Sequence, residues 1–358
     1  MDERIFQFKT GHPIPEWDWQ HRLSISIPVS PERKDSATVF KINSTYMDVT
    51  DQPYRARQWL SGGVLTACLG SLAFLWSARN TIRLHNNSLA EVPLATILIV
   101  LVAISTFTYI AVKYGRDEFF ALKRRPIRFN RKEKKIYTIR RRRFFAKPGQ
   151  GDLTWEIPWN ENAIFCIHRG SANNRHNYHI RHYEVDQNGN VIRAFAIGQT
   201  WEADECLVDL LSQWNYWCWY MNHGPSGLPK PLLFFKEKEN MLESFLFCMY
   251  DLGMRASAAY RISIMPLILV MTSHRLMALW TCRDPIWPDA VNKVSVIEPD
   301  DPFNEPSGRT PIGWAETTHA LDRHEYPEGD KKEMENWSGE KDPTANALLW
   351  AKDVPPKC

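Results

Sequence analysis

The chain has 358 residues, of which 44% are hydrophobic and 12% aromatic, and this composition excludes a wholly disordered protein. The 44 Lys and Arg residues stand against 41 Asp and Glu residues, so the net charge of +3 indicates no class of partner, and only local charge can. Seven scattered cysteines without a C-x-x-C pair indicate reduced thiols, and the first thirty residues show no cleavable secretory signal.

Two apolar stretches predict a transmembrane hairpin. Residues 58–78 and 92–112 contain no charged side chain, and at 1.5 Å per residue each covers the roughly 30 Å hydrocarbon core of a bilayer. The first stretch carries rows of small residues that predict close helix packing: Gly62, Gly63, Thr66, Ala67 and Gly70. Many more basic residues follow the second stretch than lie in the connecting loop, residues 79–91. The positive-inside rule then predicts a multi-pass inner-membrane protein with both termini in the cytoplasm.

A basic collar follows the hairpin. Residues 113–147 hold fifteen Lys or Arg residues and three acidic residues. Topology determination accounts for such a run, and contact with anionic lipid headgroups or with a partner is a further prediction. The residues proposed for that contact are Lys123, Arg124, Arg125, Arg128, Arg131, Lys132, Arg140, Arg141, Arg142 and Arg143. Nucleic acid is not expected, because the run at residues 140–143 lies in a strand pattern without interleaved stacking aromatics.

From residue 126 onward the sequence predicts antiparallel strands. Alternating segments at 126–130, 135–140, 152–159, 163–169, 178–185 and 191–198 give six of them, with Asn188-Gly189 in the last turn. A helix follows, with Thr200 as its predicted N-cap and Gly224 ending it. Strands closed by one amphipathic helix predict a pleckstrin-homology-like domain by fold analogy.

The remaining chain divides into an apolar region and an acidic one. Residues 262–281 are apolar but contain His274 and Arg275, so we predict an interfacial or protein-buried helix and no third span, although a crossing broken at Pro266 stays open. Residues 283–358 hold sixteen acidic residues against nine basic ones, and predict a loosely ordered tail. Its charge also permits contact with the collar.

A search for reactive groups predicts no catalytic, cofactor-binding or metal-binding residue. Strand alternation places His176 and His182 on one face and His179 on the other, which disfavours a zinc site that would also include His168. The turn at residues 223–227 lacks the G-x-S-x-G spacing of a nucleophile elbow.

Several motifs together resemble one family: PIRFNRKEKKIY at residues 126–137, EIPW at 156–159, NYWCWYMNHGPSGLPKP at 215–231 and WTCRDPIWPDAV at 280–291. With the hairpin, they are similar to an uncharacterised family of Gram-negative bacterial membrane proteins, often encoded near type VI secretion genes. The resemblance covers about residues 55–295 and implies a context of toxin delivery. It implies no activity and transfers no catalytic residue.

The predicted fold is an α+β membrane protein. It comprises an N-terminal cytoplasmic segment (1–57), the hairpin (58–112), the collar and β-rich cytoplasmic domain (113–231), an interfacial or membrane-associated apolar helical region (232–282) and the acidic tail (283–358). The expected function is non-enzymatic: type VI toxin immunity or an accessory role, with a secreted effector or a secretion component as protein partner. An anionic-lipid-binding membrane scaffold is the alternative, and a membrane-associated hydrolase is the third.

Overall fold

A computed structural model describes residues 10–30, 32–36, 38–85, 92–141, 152–172, 175–202, 206–231, 233–253, 257–307, 310 and 312–322. The strands are β1 (Arg22–Leu23), β2 (Val39–Ile42), β3 (Tyr46–Val49), β4 (Ile127–Asn130), β5 (Lys135–Arg141), β6 (Asp152–Pro158), β7 (Ile164–Ala172), β8 (Arg175–Val185) and β9 (Val191–Glu202). The helices are α1 (Glu16–Gln20), α2 (Gln52–Arg55), α3 (Arg57–Leu84), α4 (Leu94–Glu118), α5 (Leu207–His223), α6 (Met241–Gly253), α7 (Ala258–Ser263), α8 (Met265–Thr281), α9 (Asp289–Lys293) and α10 (Gly313–Asp322).

The strands form two antiparallel sheets. One has the order β2-β3-β4-β5-β6 and the other β1-β7-β8-β9. The six strands predicted from residue 126 onward are confirmed as β4 to β9. A mixed α+β architecture with antiparallel sheets is therefore established.

The N-terminal segment belongs to these sheets, which the sequence analysis did not predict. Strand β3 pairs antiparallel with β4, and Met47 lies opposite Phe129. Residues before the hairpin therefore complete a sheet whose other strands come after it. This pairing holds the two ends of the hairpin next to each other.

One hydrophobic core fills the space between the two sheets and α5. Side chains from both sheets contribute to it, among them Phe129 and Phe165, and α5 adds Trp214 and Trp217. Burial of these large aromatic side chains is the main source of stability for the domain. The helix begins at residue 207, later than predicted, because β9 continues through Thr200 to residue 202.

Two helices are long and apolar enough to cross a membrane: residues 57–84, and residues 94–115 within α4. The most apolar window of α4 has none of its residues buried, whereas the core helix of a soluble protein is mostly buried. The predicted loop at residues 79–91 is shorter than expected, since α3 continues to Leu84, and residues 86–91 lie outside the described residues. These two helices are the candidate spans of the described chain, so the multi-pass prediction reduces to one hairpin.

Part of the predicted acidic tail is folded onto the domain. Helix α9, a bridge between Glu305 and Ile42, and α10 lie in this region. The prediction of a loosely ordered tail is thus wrong for residues 283–307. Residues 283–307 are ordered because they contact the sheet and the collar. Sequence composition alone does not indicate such contacts.

Candidate functional site

A buried arginine fastens the base of the hairpin. The Arg57 guanidinium donates to the backbone oxygens of Glu118 at 3.0 Å, Leu122 at 3.0 Å and Lys123 at 2.9 Å. The same guanidinium lies 3.1 Å from the Cys282 sulfur and 3.8 Å from the Glu118 carboxylate. One side chain therefore connects the start of α3, the end of α4 and the end of α8.

Many charged side chains of the collar form ion pairs or hydrogen bonds with other residues of the same chain. Arg128 makes a two-pronged ion pair with Asp48, both nitrogen–oxygen distances being 2.7 Å. Its guanidinium stacks between the rings of Tyr46 and Trp287, 4.0 and 4.7 Å from their centroids. Such a pair is strong because the fork of an arginine matches a carboxylate.

Other collar residues have equally specific contacts. Lys123 pairs with Asp284 at 3.1 Å, Arg124 with Glu237 at 2.8 Å and Lys132 with Glu298 at 2.6 Å, while Arg131 donates to the Ser44 oxygen at 3.1 Å. Arg140 is buried, donates to the Thr138 hydroxyl at 2.9 Å and stacks over the Phe195 ring. Arg125 contributes its backbone nitrogen, which donates to the Asp51 carboxylate. Arg142 and Arg143 lie outside the described residues, as does the side chain of Arg141.

These contacts correct the prediction for the collar. Arg128 and Arg140 are buried, so they are not accessible for the predicted contact with headgroups or a partner. The acidic residues Asp284 and Glu298 fold back onto Lys123 and Lys132, which is the contact that the charge pattern permitted.

The predicted packing residues of α3 serve two different neighbours. A methyl group on Gly62 would lie 2.7 Å from the His274 ring of α8, and one on Gly70 would lie 2.9 Å from the Phe107 ring of α4. Ala67 is buried between these levels, whereas Thr66 is exposed and Gly63 has nothing within 4 Å of its Cβ position. Gly62 and Gly70 thus pack against α8 and α4, whereas Gly63 and Thr66 do not serve as packing positions.

A groove of about 260 Å³ lies between the loop after β1 and the C-terminal half of α5. It is lined by Ile25, Ser26, Ile27, Pro28, Arg33, Asn215, Cys218, Trp219, Asn222 and His223. The Arg33 guanidinium stacks 3.7 Å from the centroid of the Trp219 ring, which also lies 4.5 Å from the His223 ring. An exposed Ile27 and a cation on an aromatic ring give this surface both apolar and charged contacts.

The groove lies at the end of the domain far from the hairpin. Strand β4 starts nine residues after α4 and rises about 3.3 Å per residue, so its final residue, Asn130, is farther from the hairpin base than Ile127. The turn after β4 contacts the end of α5, where Lys134 donates to the Met221 oxygen and the Arg131 side chain lies beside Gly224. The groove is therefore open to a partner that does not touch the hairpin.

The four histidines that were considered as zinc ligands do not converge on one point. The His168 ring contacts the buried Asp18 carboxylate at 2.7 Å, and the Tyr183 hydroxyl donates to the same oxygen at 2.5 Å. His182 packs against Phe165 on the core side, where burial and the charge of Arg193 lower its pKa to about 4. His176 is exposed near the start of β8. The described residues include no cluster of three His, Cys, Asp or Glu side chains suited to a metal ion.

Sequence reasoning missed the N-terminal half of the groove and Asp18. The sequence carries a signal only for strands β2 and β3: residues 38–49 read TVFKINSTYMDV, an alternating segment, a polar turn and a second alternating segment. Residues 25–33, in the loop after β1, lie beside α5. Asn215 fixes that loop by accepting from the Val29 nitrogen at 2.9 Å and donating to the Ser30 oxygen at 2.6 Å.

Residues 104–299 match a family model described as a family of unknown function, DUF6708. The match covers more than half of the chain. The protein belongs to the DUF6708 family. No curated protein and no solved structure matches the chain. The DUF6708 match includes the C-terminal half of the second candidate span, the collar, α5 and residues 283–299 of the folded-back segment. Residues 25–33 of the groove lie before it.

Proposed function

We propose that this DUF6708 protein is a non-enzymatic, membrane-anchored binding protein. Its hairpin spans the inner membrane of a Gram-negative bacterium, and its β-rich domain binds a protein partner on the cytoplasmic side. We also propose a pleckstrin-homology-like arrangement for this domain, in which two antiparallel sheets and α5 enclose one core. The groove between residues 25–33 and α5 is the observation that carries this proposal, because it is open and chemically mixed.

Two observations support the membrane anchor. The apolar window of α4 has no buried residue, and an exposed helix of this composition is unfavourable in water. Strands β3 and β4 flank the hairpin and pair with each other, so both ends of the hairpin are on one side of any bilayer it crosses. The positive-inside rule assigns the cytoplasm to that side.

A protein partner is favoured over anionic lipid for the collar domain. Lys123, Arg124, Arg128 and Lys132 have carboxylate partners within the chain, which reduces the positive potential available to headgroups. A mixed groove with an aromatic ring, an arginine and exposed apolar side chains has the composition of a protein-binding surface.

The type VI setting rests on the motifs at residues 126–137, 156–159, 215–231 and 280–291. Within that setting we propose toxin immunity or an accessory role, with a secreted effector or a secretion component as the partner. Deleting the gene in a toxin-producing strain is expected to make the strain sensitive to the toxin of a neighbouring gene. Undiminished survival would reject the immunity role.

The groove itself is tested by affinity capture of the full chain in mild detergent. Ile27→Glu places a charge on the groove, and Ile192→Glu places the same charge on a similarly exposed isoleucine of β9, 52% exposed against 55%. We expect Ile27→Glu to capture at least tenfold less of the candidate toxin and to give no protection against it. Ile192→Glu is expected to retain both toxin capture and protection. Equal capture by the two variants would show that the groove is not the contact surface.

A further inference from the structure

Helix α8 exposes an apolar face, whereas its one charged side chain, Arg275, is buried. The exposed residues of the helix are Pro266, Leu267, Leu269, Val270, Ser273, Met277 and Trp280. None of them is charged, and the single polar member, Ser273, donates its hydroxyl to the Val270 oxygen at 2.7 Å. A helix in water shows the opposite arrangement.

Two polar side chains of α8, Arg275 and Thr272, form hydrogen bonds within the protein. Arg275 is fully buried and donates to the Glu239 carboxylate at 2.6 and 2.8 Å, to the Tyr54 oxygen at 2.9 Å and to the Gln58 side chain at 3.0 Å. Thr272 donates to the backbone oxygen four residues earlier at 2.7 Å. Burial of the one charged side chain of α8 with a carboxylate partner is what a hydrocarbon environment requires.

The contacts also give the direction of α8. Cys282, just after the helix, touches Arg57 at the start of α3, and His274 lies against Gly62. The helix therefore runs antiparallel to α3, and residues 265–273 continue beside the apolar part of α3. At 1.5 Å per residue these nine residues extend about 13 Å past His274, close to half of a hydrocarbon core of roughly 30 Å.

Helix α6 lies against α8, and both ends of α6 are at the base of α3. Glu239, just before α6, accepts from the Tyr54 hydroxyl at 2.8 Å, and Asp251, near the end of α6, accepts from the Gln58 side chain at 2.9 Å. Trp280 is 86% exposed at that same level, where α3 exposes Trp59, whose indole nitrogen donates to Asp251 of α6 at 2.7 Å. Two exposed tryptophans at one level are typical of the membrane–water boundary.

We propose that α7 and α8 form a re-entrant helical segment, with the exposed face of α8 in contact with lipid acyl chains. It enters the bilayer from the domain side and returns to that side without crossing. The inference rests on the proposed membrane anchor, and it is carried by the continuity of the α8 face with α3. Arg261, the one Lys, Arg, Asp or Glu among residues 257–274, reaches polar surroundings through its long side chain.

Accessibility to a water-soluble, charged maleimide tests the contact in proteoliposomes opened to reagent on both sides. Val270→Cys and Leu269→Cys probe α8, Val102→Cys probes the candidate span α4, and Ile192→Cys probes the β domain, all in a Cys68→Ala, Cys358→Ser background. We expect Val270→Cys, Leu269→Cys and Val102→Cys to react at least tenfold more slowly than Ile192→Cys.

The remaining outcomes distinguish failure of the α8 contact from failure of the membrane anchor. If Val270→Cys and Leu269→Cys react as fast as Ile192→Cys while Val102→Cys is protected, α8 faces water and the inference fails alone. If Val102→Cys reacts fast as well, the membrane anchor fails too. Bimane attached at Val270→Cys and at Trp280→Cys measures depth: deep nitroxide lipids are expected to quench residue 270 more, and shallow ones residue 280. Equal depths would overturn the re-entrant path.

Discussion

The pair between Arg128 and Asp48 shows how one residue connects distant parts of the chain. Arg128 lies on β4, Asp48 on β3, and Trp287 of the folded-back segment covers the other face of the guanidinium. Removing one member of a buried pair leaves the other charged and without compensation. The pair is thus a structural link between segments before and after the hairpin.

Arg128→Ala is expected to lower the free energy of unfolding of the domain by about 3 kcal/mol, because the Asp48 carboxylate stays in place without its partner. Lys132→Ala is the matched control, since the Lys132–Glu298 pair is exposed and contributes less than about 1 kcal/mol. Thermal unfolding of both variants in detergent measures the difference. Equal midpoints would show that the Arg128 pair does not stabilise the domain.

His182 makes stability depend on pH. Its pKa of about 4 in the folded protein lies below the ordinary value of 6.5, so the unfolded chain binds a proton that the folded chain does not. Its contribution to stability is complete above about pH 6.5 and falls as the pH decreases toward 4. His182→Gln is expected to reduce the slope of the unfolding midpoint between pH 6.5 and 4.5, with the exposed His176→Gln as control. An unchanged slope in His182→Gln would contradict this assignment.

At the scale of elements, α3 packs on two helices through one face. Gly70 contacts Phe107 of α4 so closely that a Cβ atom would collide with the ring, whereas Gly63 faces open space. The sequence predicted small-residue packing but gave two equivalent rows, since both have the same spacing. Only the positions of α4 and α8 distinguish them.

Gly70→Ile is expected to destabilise the helical hairpin by about 1 to 3 kcal/mol, because the added side chain displaces the Phe107 ring. Gly63→Ile introduces the same side chain, with the same change in helix propensity, on the open face. The two variants are compared by the thermal unfolding midpoint of the hairpin in detergent. The midpoint is the temperature at which residues 85–92 become sensitive to protease. Equal loss in both variants would mean that propensity alone is responsible.

Local pattern predicted some elements well and others poorly. The six strands β4 to β9 were found because each alternates and is bounded by turn residues, and Gly224 ended α5 as expected. The start of α5 was misplaced because β9 continues through Thr200 into residues that also suit a helix N-terminus. Strands β2 and β3 were passed over, although their alternation is present in residues 38–49.

The groove could not be predicted in the same way. It joins residues 25–33 to residues 215–223, and nothing in either segment indicates the other. The same is true of the collar, whose excess of positive charge suggested a free surface. Its carboxylate partners come from residues 48, 237, 284 and 298, which are neighbours only after folding.

At the scale of the whole molecule, residues 283–307 close the side of the five-stranded sheet. Asp301 accepts from the Ser44 nitrogen at 2.7 Å and from its hydroxyl at 2.8 Å, and the backbone of Ile42 pairs with that of Glu305 at 2.9 Å in both directions. These bonds, with the ion pairs to Lys123 and Lys132, join the segment to both the N-terminal strands and the collar.

Truncation after residue 283 is therefore expected to destabilise the domain by about 3 kcal/mol or more, from the loss of several hydrogen bonds worth about 1 kcal/mol each. Truncation after residue 322 keeps every described contact and serves as the control. Unfolding midpoints of the two purified proteins give the comparison. A shift of similar size in both would place the stabilisation elsewhere.

The topology gives a further test. Reporter fusions at the N-terminus and after residue 322 are expected to be active only as cytoplasmic reporters, and a fusion within residues 86–91 only as a periplasmic one, because β3 and β4 must meet on one side. Opposite locations for the two terminal fusions would contradict the pairing of these strands across the hairpin.

The interrupted five-stranded sheet also imposes an order on biosynthesis. Strands β2 and β3 leave the ribosome before the apolar helices, yet their partner β4 is made only after both helices have been synthesised. Strand β3 can pair with β2 at once, but it must wait for β4 while the two helices are synthesised. A ribosome that stalls between residues 57 and 126 would leave two strand edges exposed, and such nascent chains are natural clients for chaperones.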